Sequence, residues 1–395
     1  MSSSNQVRVA FIEESTYGEV PGAGNFETAR FTSDSLSGTP DTTESAEIRT
    51  DRLSSGQIVT GLTVGGSLNY ELAKEDAIDL FFKSAMYQSS FATDTPVSVD
   101  LSLDATAKTI TRASGDFNSD VAVGDVLTLT GYVATANNTQ VMVASIDSAT
   151  VISYLGKDDL VTEAGTGTTF VVADKLTVGT TKTSFSMEKA FLDLTTKAIN
   201  YNGMIVSGFS VNATYGSIVS GAFNFSGNGY ETADAANEFM TDSRTLNDAA
   251  TTTSLNGSVD MPFIGSSATG TFEKTTFCIQ SVELTTNNNL TTQNCIGQIA
   301  PNDYSEGTCQ IEVSLTAYLA DGNWPLLANK LEQTPFSLGF ITKNADGFYG
   351  FFLPAVQVSF DDPVSAGANQ DIMLTMSGTA KVGSAGESAL TIFKG

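Results

Sequence analysis

Apolar and polar residues alternate along most of this chain, and the alternation gives way to helical spacing at two matching places. In residues 63–86, TVGGSLNYELAKEDAIDLFFKSAM, Leu68, Tyr70 and Leu72 alternate with Ser67, Asn69 and Glu71. A period of two predicts a half-buried strand. Asp76 is placed to cap a following helix, in which Ile78, Phe81, Phe82 and Ala85 form an apolar stripe. Residues 309–332, CQIEVSLTAYLADGNWPLLANKLE, repeat the unit. Val313, Leu315 and Ala317 alternate with Glu312, Ser314 and Thr316, Asp321 takes the cap position, and Trp324, Leu327 and Leu331 follow. Counting back from the two aspartates sets Leu68 on Val313 and Tyr70 on Leu315, so the strands agree in parity. The following helices are expected to seal the outside of each sheet.

The rest of the chain falls into the same order twice. Val7 to Ile12 is a possible strand. Tyr17 to Asn25 reads as a frayed terminus or as an arm packing on a neighbouring subunit. Residues 31–62 are Ser/Thr-rich, with turn signals at Gly38–Pro40. Their mixed-charge run, Glu44, Glu47, Arg49, Asp51 and Arg52, reads as a solvated face or as a loop lying against another subunit. Residues 183–192 and 203–230 are strands, with Phe209 and Val211 on one face and Phe223 and Phe225 on one face. A short helical stretch is expected over Ala235 to Met240. In the second half, 334–353 answers 183–206. Residues 355–380 answer 206–229, with Leu374 set on Phe223 and Met376 on Phe225. Residues 92–178 have no counterpart. They contain about six short strands at the spacing of a small all-β domain.

The fold class is therefore mainly β: two tandem sandwich or barrel domains, each with one short flanking helix, plus an inserted small all-β domain. The first domain covers 1–91 and 179–245 with an arm at 1–30. The insertion covers 92–178, and the second domain covers 246–395.

Composition and charge narrow the chemistry. The net charge is −25, from 44 acidic and 19 basic residues. Phosphate neutralisation needs a basic surface, so a nucleic-acid reader is not expected. The absence of histidine removes His-based acid–base catalysis and His-ligated metals. The three cysteines, Cys278, Cys295 and Cys309, read as free thiols, although sequence alone leaves a Cys278–Cys295 bridge open. Asp116, Asn118 and Asp120 begin like a calcium loop, but Val121 and Leu127 stand where such a loop needs Gly and Glu. No catalytic, cofactor or metal site is read from the sequence, and no enzyme is expected. The opening segment lacks the features of a signal peptide, and no window is long and apolar enough to span a membrane.

Four stretches carry a family likeness: EESTYGEVPGAGNF, FTSDSLSGTPDTTESAEIRTDR, GGSLNYELAKEDAIDLFFKSA and GMIVSGFSVNATYGSIVSGAFNFSGNG. Together they resemble the major tail tube proteins of long non-contractile-tailed bacteriophages. The inserted stretch, with ITRASGDF and VGDVLTLTG, looks like small β domains that decorate phage tail proteins. The resemblance implies stacked rings around a lumen that carries the genome. It also implies assembly in the host cytoplasm, and tape measure, tail terminator and distal tail proteins as partners. Six copies of the fold usually make a ring in such tubes, so two copies per chain predict a trimer with pseudo-sixfold symmetry. An acidic lumen would let DNA slide without binding. Glu71 and Glu312, on the polar faces of the paired strands, are the candidate lumen residues. An outward-facing insertion is expected. The rival reading is a virion adhesin that binds a receptor or glycan through that insertion.

Overall fold

The computed structural model describes residues 2–395 except 196, 234–240, 242–243, 262, 268–270, 329, 366 and 385. The helical stretch expected over Ala235 to Met240 lies outside the described residues. The principal strands of the first half are β1 (Val7–Glu13), β2 (Phe26–Ala29), β3 (Ser33–Asp34), β4 (Ser37–Glu44) and β5 (Gln57–Glu71), followed by helix α1 (Asp76–Ala85). After the insertion come β6 (Ser184–Phe191), β7 (Ala198–Thr214) and β8 (Ser220–Gly227). The second half contains β9 (Phe263–Ser266), β10 (Ile279–Asn287), β11 (Gln310–Tyr318), the short helix α2 (Trp324–Ala328), β12 (Phe336–Lys343), β13 (Phe348–Ser359), β14 (Met373–Lys381) and β15 (Thr391–Lys394). Among the described residues no helix is long and apolar enough to cross a membrane.

One order of pairing recurs in the two halves. β1 pairs β6, β6 pairs β7, β7 pairs β8 and β8 pairs β5. Likewise β9 pairs β12, β12 pairs β13, β13 pairs β14 and β14 pairs β11. All these pairs are antiparallel. The long strands β7 and β13 each serve two sheets. The first part of β7 pairs β6 and its last part pairs β8, with a register shift between Val206 and Gly208. A bulge of this kind bends a strand from one layer of a sandwich into the other. A Cβ on Gly208 would stand 2.1 Å from the Thr286 carbonyl oxygen, so the close strand approach requires glycine there.

The halves join edge to edge. Ser210–Thr214 at the end of β7 pairs antiparallel with Ser281–Thr285 of β10, making one continuous sheet. Beneath it lies the principal core, which takes in Leu68, Tyr70, Phe209, Phe223, Val313, Leu315 and Met376. The expected parity of β5 and β11 holds: Leu68, Tyr70, Val313 and Leu315 are buried. The alignment of Leu374 with Phe223 keeps the parity but not the register. Phe223 stands opposite Leu68 and Gly378 opposite Val313, so Phe223 corresponds to Gly378 and Leu374 to Val219.

The two helices differ from the expected pair. Helix α1 begins one residue early, with Glu75 as its N-cap and no side-chain capping bond, so Asp76 is the first helical residue. The helix is wedged inside the core, not laid over a sheet. Phe81 meets Phe11, Phe185, Phe223 and Phe225, while Phe82 meets Phe209 and Phe223 of the first half and Tyr349 and Phe351 of the second. Its polar side is buried through charge pairing. Asp79 accepts from Lys74 (2.6 Å), Lys394 (2.9 Å) and the Tyr349 hydroxyl (2.8 Å). In the second unit Asp321 opens a 3-10 turn, and Asn323 closes it through Ala320 N–H and Tyr318 O, both at 2.9 Å. Among the described residues five α-helical ones follow, Trp324–Ala328. Trp324 is 60% exposed and Leu331 95% exposed, so the expected stripe is not a core stripe. Gly322 and Asn323 are weak helix formers, which accounts for the shorter helix.

Two segments read as loops are ordered by the chain itself. Ser37–Glu44 pairs Gln57–Gly65 in a long hairpin, and Pro40 sits within β4 opposite Leu62. An edge strand tolerates proline because its outward N–H has no ladder partner. The stretch after β1 is hydrogen-bonded to its own chain. The buried Glu14 carboxylate accepts from Ser184 and Ser186 hydroxyls (2.6 and 2.7 Å) and from Gly18 and Gly203 N–H (both 2.8 Å). Arg244 donates to Pro21 O at 2.6 Å.

Residues 97–172 of the inserted stretch form their own eight-stranded sheet, with a core that includes Leu103, Ile110, Phe117, Leu129, Val143 and Phe170, while Asp174–Thr177 pairs with β15 in the main sheet. Asp116 caps the short helix Phe117–Asp120, and Asp120 pairs with Arg112 at 2.6 Å, so the calcium-like triplet is used in capping and ion pairing. The unit docks on the second half. Val126, Met142 and Leu155 pack against Ile341, Phe348, Phe352 and Phe393. Ile341, Phe348 and Phe352 lie on one face of β12 and β13, with Phe393 on β15, while Leu338, Phe340 and Phe351 point into the principal core from the other face. Cys278, Cys295 and Cys309 are all free.

Candidate functional site

The candidate site is the solvent side of the continuous sheet. Because side chains alternate across a sheet, burying Leu68, Val211, Leu284, Val313 and Val358 forces their neighbours outward. The ladder registers align those neighbours into rungs that cross both halves. One rung runs Glu71, Ser220, Asn212, Glu283, Ser314, Ser377, Ser359. The next runs Asn69, Ala222, Ser210, Thr285, Glu312, Thr379, Gln357. A third contains Thr214, Ser281, Thr316 and Thr375. The rungs hold three carboxylates, hydroxyls and amides, and no Lys or Arg.

Both sequence candidates lie on this face. Glu71 closes β5 and accepts from the Ser254 hydroxyl at 2.9 Å. Glu312 accepts from the Gln310 amide at 2.7 Å. They stand on different rungs and on opposite sides of the β7–β10 junction. Glu283 was not singled out by the sequence reading. It faces Asn212 across the junction and Ser314 on the other side. The signal was present: in SVELTT it alternates with the buried Val282 and Leu284.

The second-half part of the face is concave, an open groove of about 530 Å³ lined in part by Glu283, Glu312, Gln357 and Ser377. Carboxylates backed by hydroxyls repel phosphate and leave no cation to grip it. Such a surface offers hydration and negative potential. The inserted unit lies on the other side of the sandwich, because the core separates the polar sheet from the β12–β13 layer on which the insertion docks.

Fold and face together define a mainly β structural protein that presents a broad sheet surface. The phage tail tube protein family model matches residues 4–380, and the chain belongs to that family. It is a structural component of a phage tail tube, a virion part built by self-assembly with other tail proteins. No curated protein matches the chain.

Proposed function

We propose that three chains close into a ring with pseudo-sixfold symmetry, and that stacked rings form a conduit through which DNA is ejected. Each chain supplies two tandem tube domains, residues 1–91 with 179–245 and residues 246–395. Residues 92–178 form an inserted domain facing outward. The observation that carries this reading is the pair of polar rungs that cross both halves without a break and without a basic residue. The rungs line the bore, with Glu71, Glu283 and Glu312 as its charged residues.

The geometry of closure is favourable. Eight strands per chain face the bore: the β3–β4 edge, β5, β8, β7, β10, β11, β14 and β13. At a spacing of about 4.8 Å, three chains give a circumference of roughly 115 Å and a bore of roughly 37 Å between opposite backbones. Strand tilt widens it further. This leaves room for a duplex. The β4–β5 hairpin, with Ile48, Leu53, Ile58 and Val59 exposed, is the surface assigned to contact with another subunit. Tape measure, tail terminator and distal tail proteins are the partners at the tube's interior and ends, with assembly in the host cytoplasm.

Reversing charge in the bore tests the DNA role. Virions carrying E71K, E283K and E312K should build tubes of normal diameter, yet eject DNA more slowly and with stronger dependence on salt. Ejection at the wild-type rate from such tubes would remove these residues from the path of DNA.

A further inference from the structure

The chain contains within itself one junction between its halves, and that junction supplies a template for the contact between chains. β5 anchors one half and β11 the other, with Tyr70 matched to Leu315 by burial and parity. Asn69 stands opposite Ser33 on one side and Ala222 on the other. Its counterpart Ser314 stands opposite Glu283 and Ser377. Ser33 therefore occupies the position of Glu283. Ala222 faces Ser210, and Ser377 faces Ser359, so Ser359 occupies the position of Ser210. Within the chain, Ser210 pairs Thr285 and Asn212 pairs Glu283.

Both counterparts lie at open edges. Among the described residues, β3 and β4 pair only with β5, and the segment after Ser359 pairs with no strand. Open edges are templates for another chain.

We propose that consecutive chains join by repeating this junction: residues 359–363 of one copy add antiparallel to residues 31–35 of a second copy, with Ser359 opposite Ser35 and Asp361 opposite Ser33. The proposal rests on the ring reading and fixes its register. The alternation in 359–363 fits. Phe360, in the place of the buried Val211, is itself buried, and Asp361, in the place of Asn212, is exposed. Pro363 takes the place of Thr214. In the internal junction Tyr215 N–H donates to Gln280 O at 3.0 Å, so alternation turns the Thr214 amide away from β10. A proline there loses no bond across the seam. Asp362 replaces the buried Ala213, and its carboxylate is already paired with Lys330 at 3.1 Å. The seam would carry Asp361 onto the polar face as a fourth acid per chain.

Cysteine pairing tests the register. In a parent with Cys278, Cys295 and Cys309 changed to Ser, the double variant S35C/S359C places two thiols in a pair that makes no backbone bond. Cα atoms in such a pair lie about 4.5 Å apart, within disulfide reach. Oxidation should give covalent dimers and trimers on non-reducing gels, from preparations that show rings by electron microscopy. S33C/S359C, out of register, should cross-link at least tenfold less. Rings without cross-linking in S35C/S359C, or equal cross-linking in both variants, would overturn the seam and leave the ring standing. Monomers without rings would overturn both.

Discussion

Glu75 is the residue where burial and charge are most at odds. It stands at the entrance to α1, 4% exposed, with one carboxylate oxygen lacking a hydrogen-bond partner and Arg30 Nε at 3.9 Å. Burial pushes its carboxyl up to about 7 from a usual 4.5, against the opposing pull of Arg30. Between those values the folded state holds a proton that the unfolded chain has lost. Stability should therefore fall as pH rises from about 4.5 through 7 and level off above, by on the order of 3 kcal/mol. E75Q should flatten that slope and match or exceed the wild type at pH 8, as urea denaturation at several pH values will show. An unchanged slope would place the titration elsewhere. At this scale the sequence was legible wherever burial follows parity, as at Leu68, Tyr70, Val313 and Leu315. Glu75 was not legible, because its burial comes from Arg30 and the 250–252 segment folding over the helix entrance. Arg30 itself donates to the carbonyls of Ala250 and Thr252.

The two helices show what periodicity can carry at the scale of an element. The stripe of α1 was correctly placed, yet the helix is buried on its charged side too, through Asp79 with Lys74, Lys394 and Tyr349. Tyr349 and Lys394 are far from Asp79 in sequence, so no local pattern announces them. The stripe of α2 was misread because Trp324 and Leu331 face solvent. Substitution separates the two cases. F82A removes a ring packed on Phe209, Phe223, Tyr349 and Phe351 and should cost about 3–5 kcal/mol in chemical denaturation. W324A, at the exposed start of α2, should stay within about 0.5 kcal/mol. Equal losses would mean that α2 is packed as tightly as α1. The β4–β5 hairpin taught a related lesson. Its Gly38–Pro40 signal marked an edge strand instead of a turn, because only tertiary pairing tells the two apart.

For the whole molecule, the order of elements was the most legible feature, since strand parity and the two strand–helix units survive in the sequence. What escaped it was register and docking. The β7–β10 junction that fuses the two sheets, and the seating of the insertion on Phe348, Phe352 and Phe393, depend on side chains brought from distant segments. That seating puts the insertion and the acidic rungs on opposite sides of the core, so the account places one inside and the other outside a closed ring. A cryo-electron microscopy reconstruction of tubes assembled from the purified protein tests this most directly. The account predicts three chains per ring with six similar sheets around the bore, Glu71, Glu283 and Glu312 lining it, and three insertions projecting outward. Six chains per ring, or a bore lined by the insertion, would contradict it.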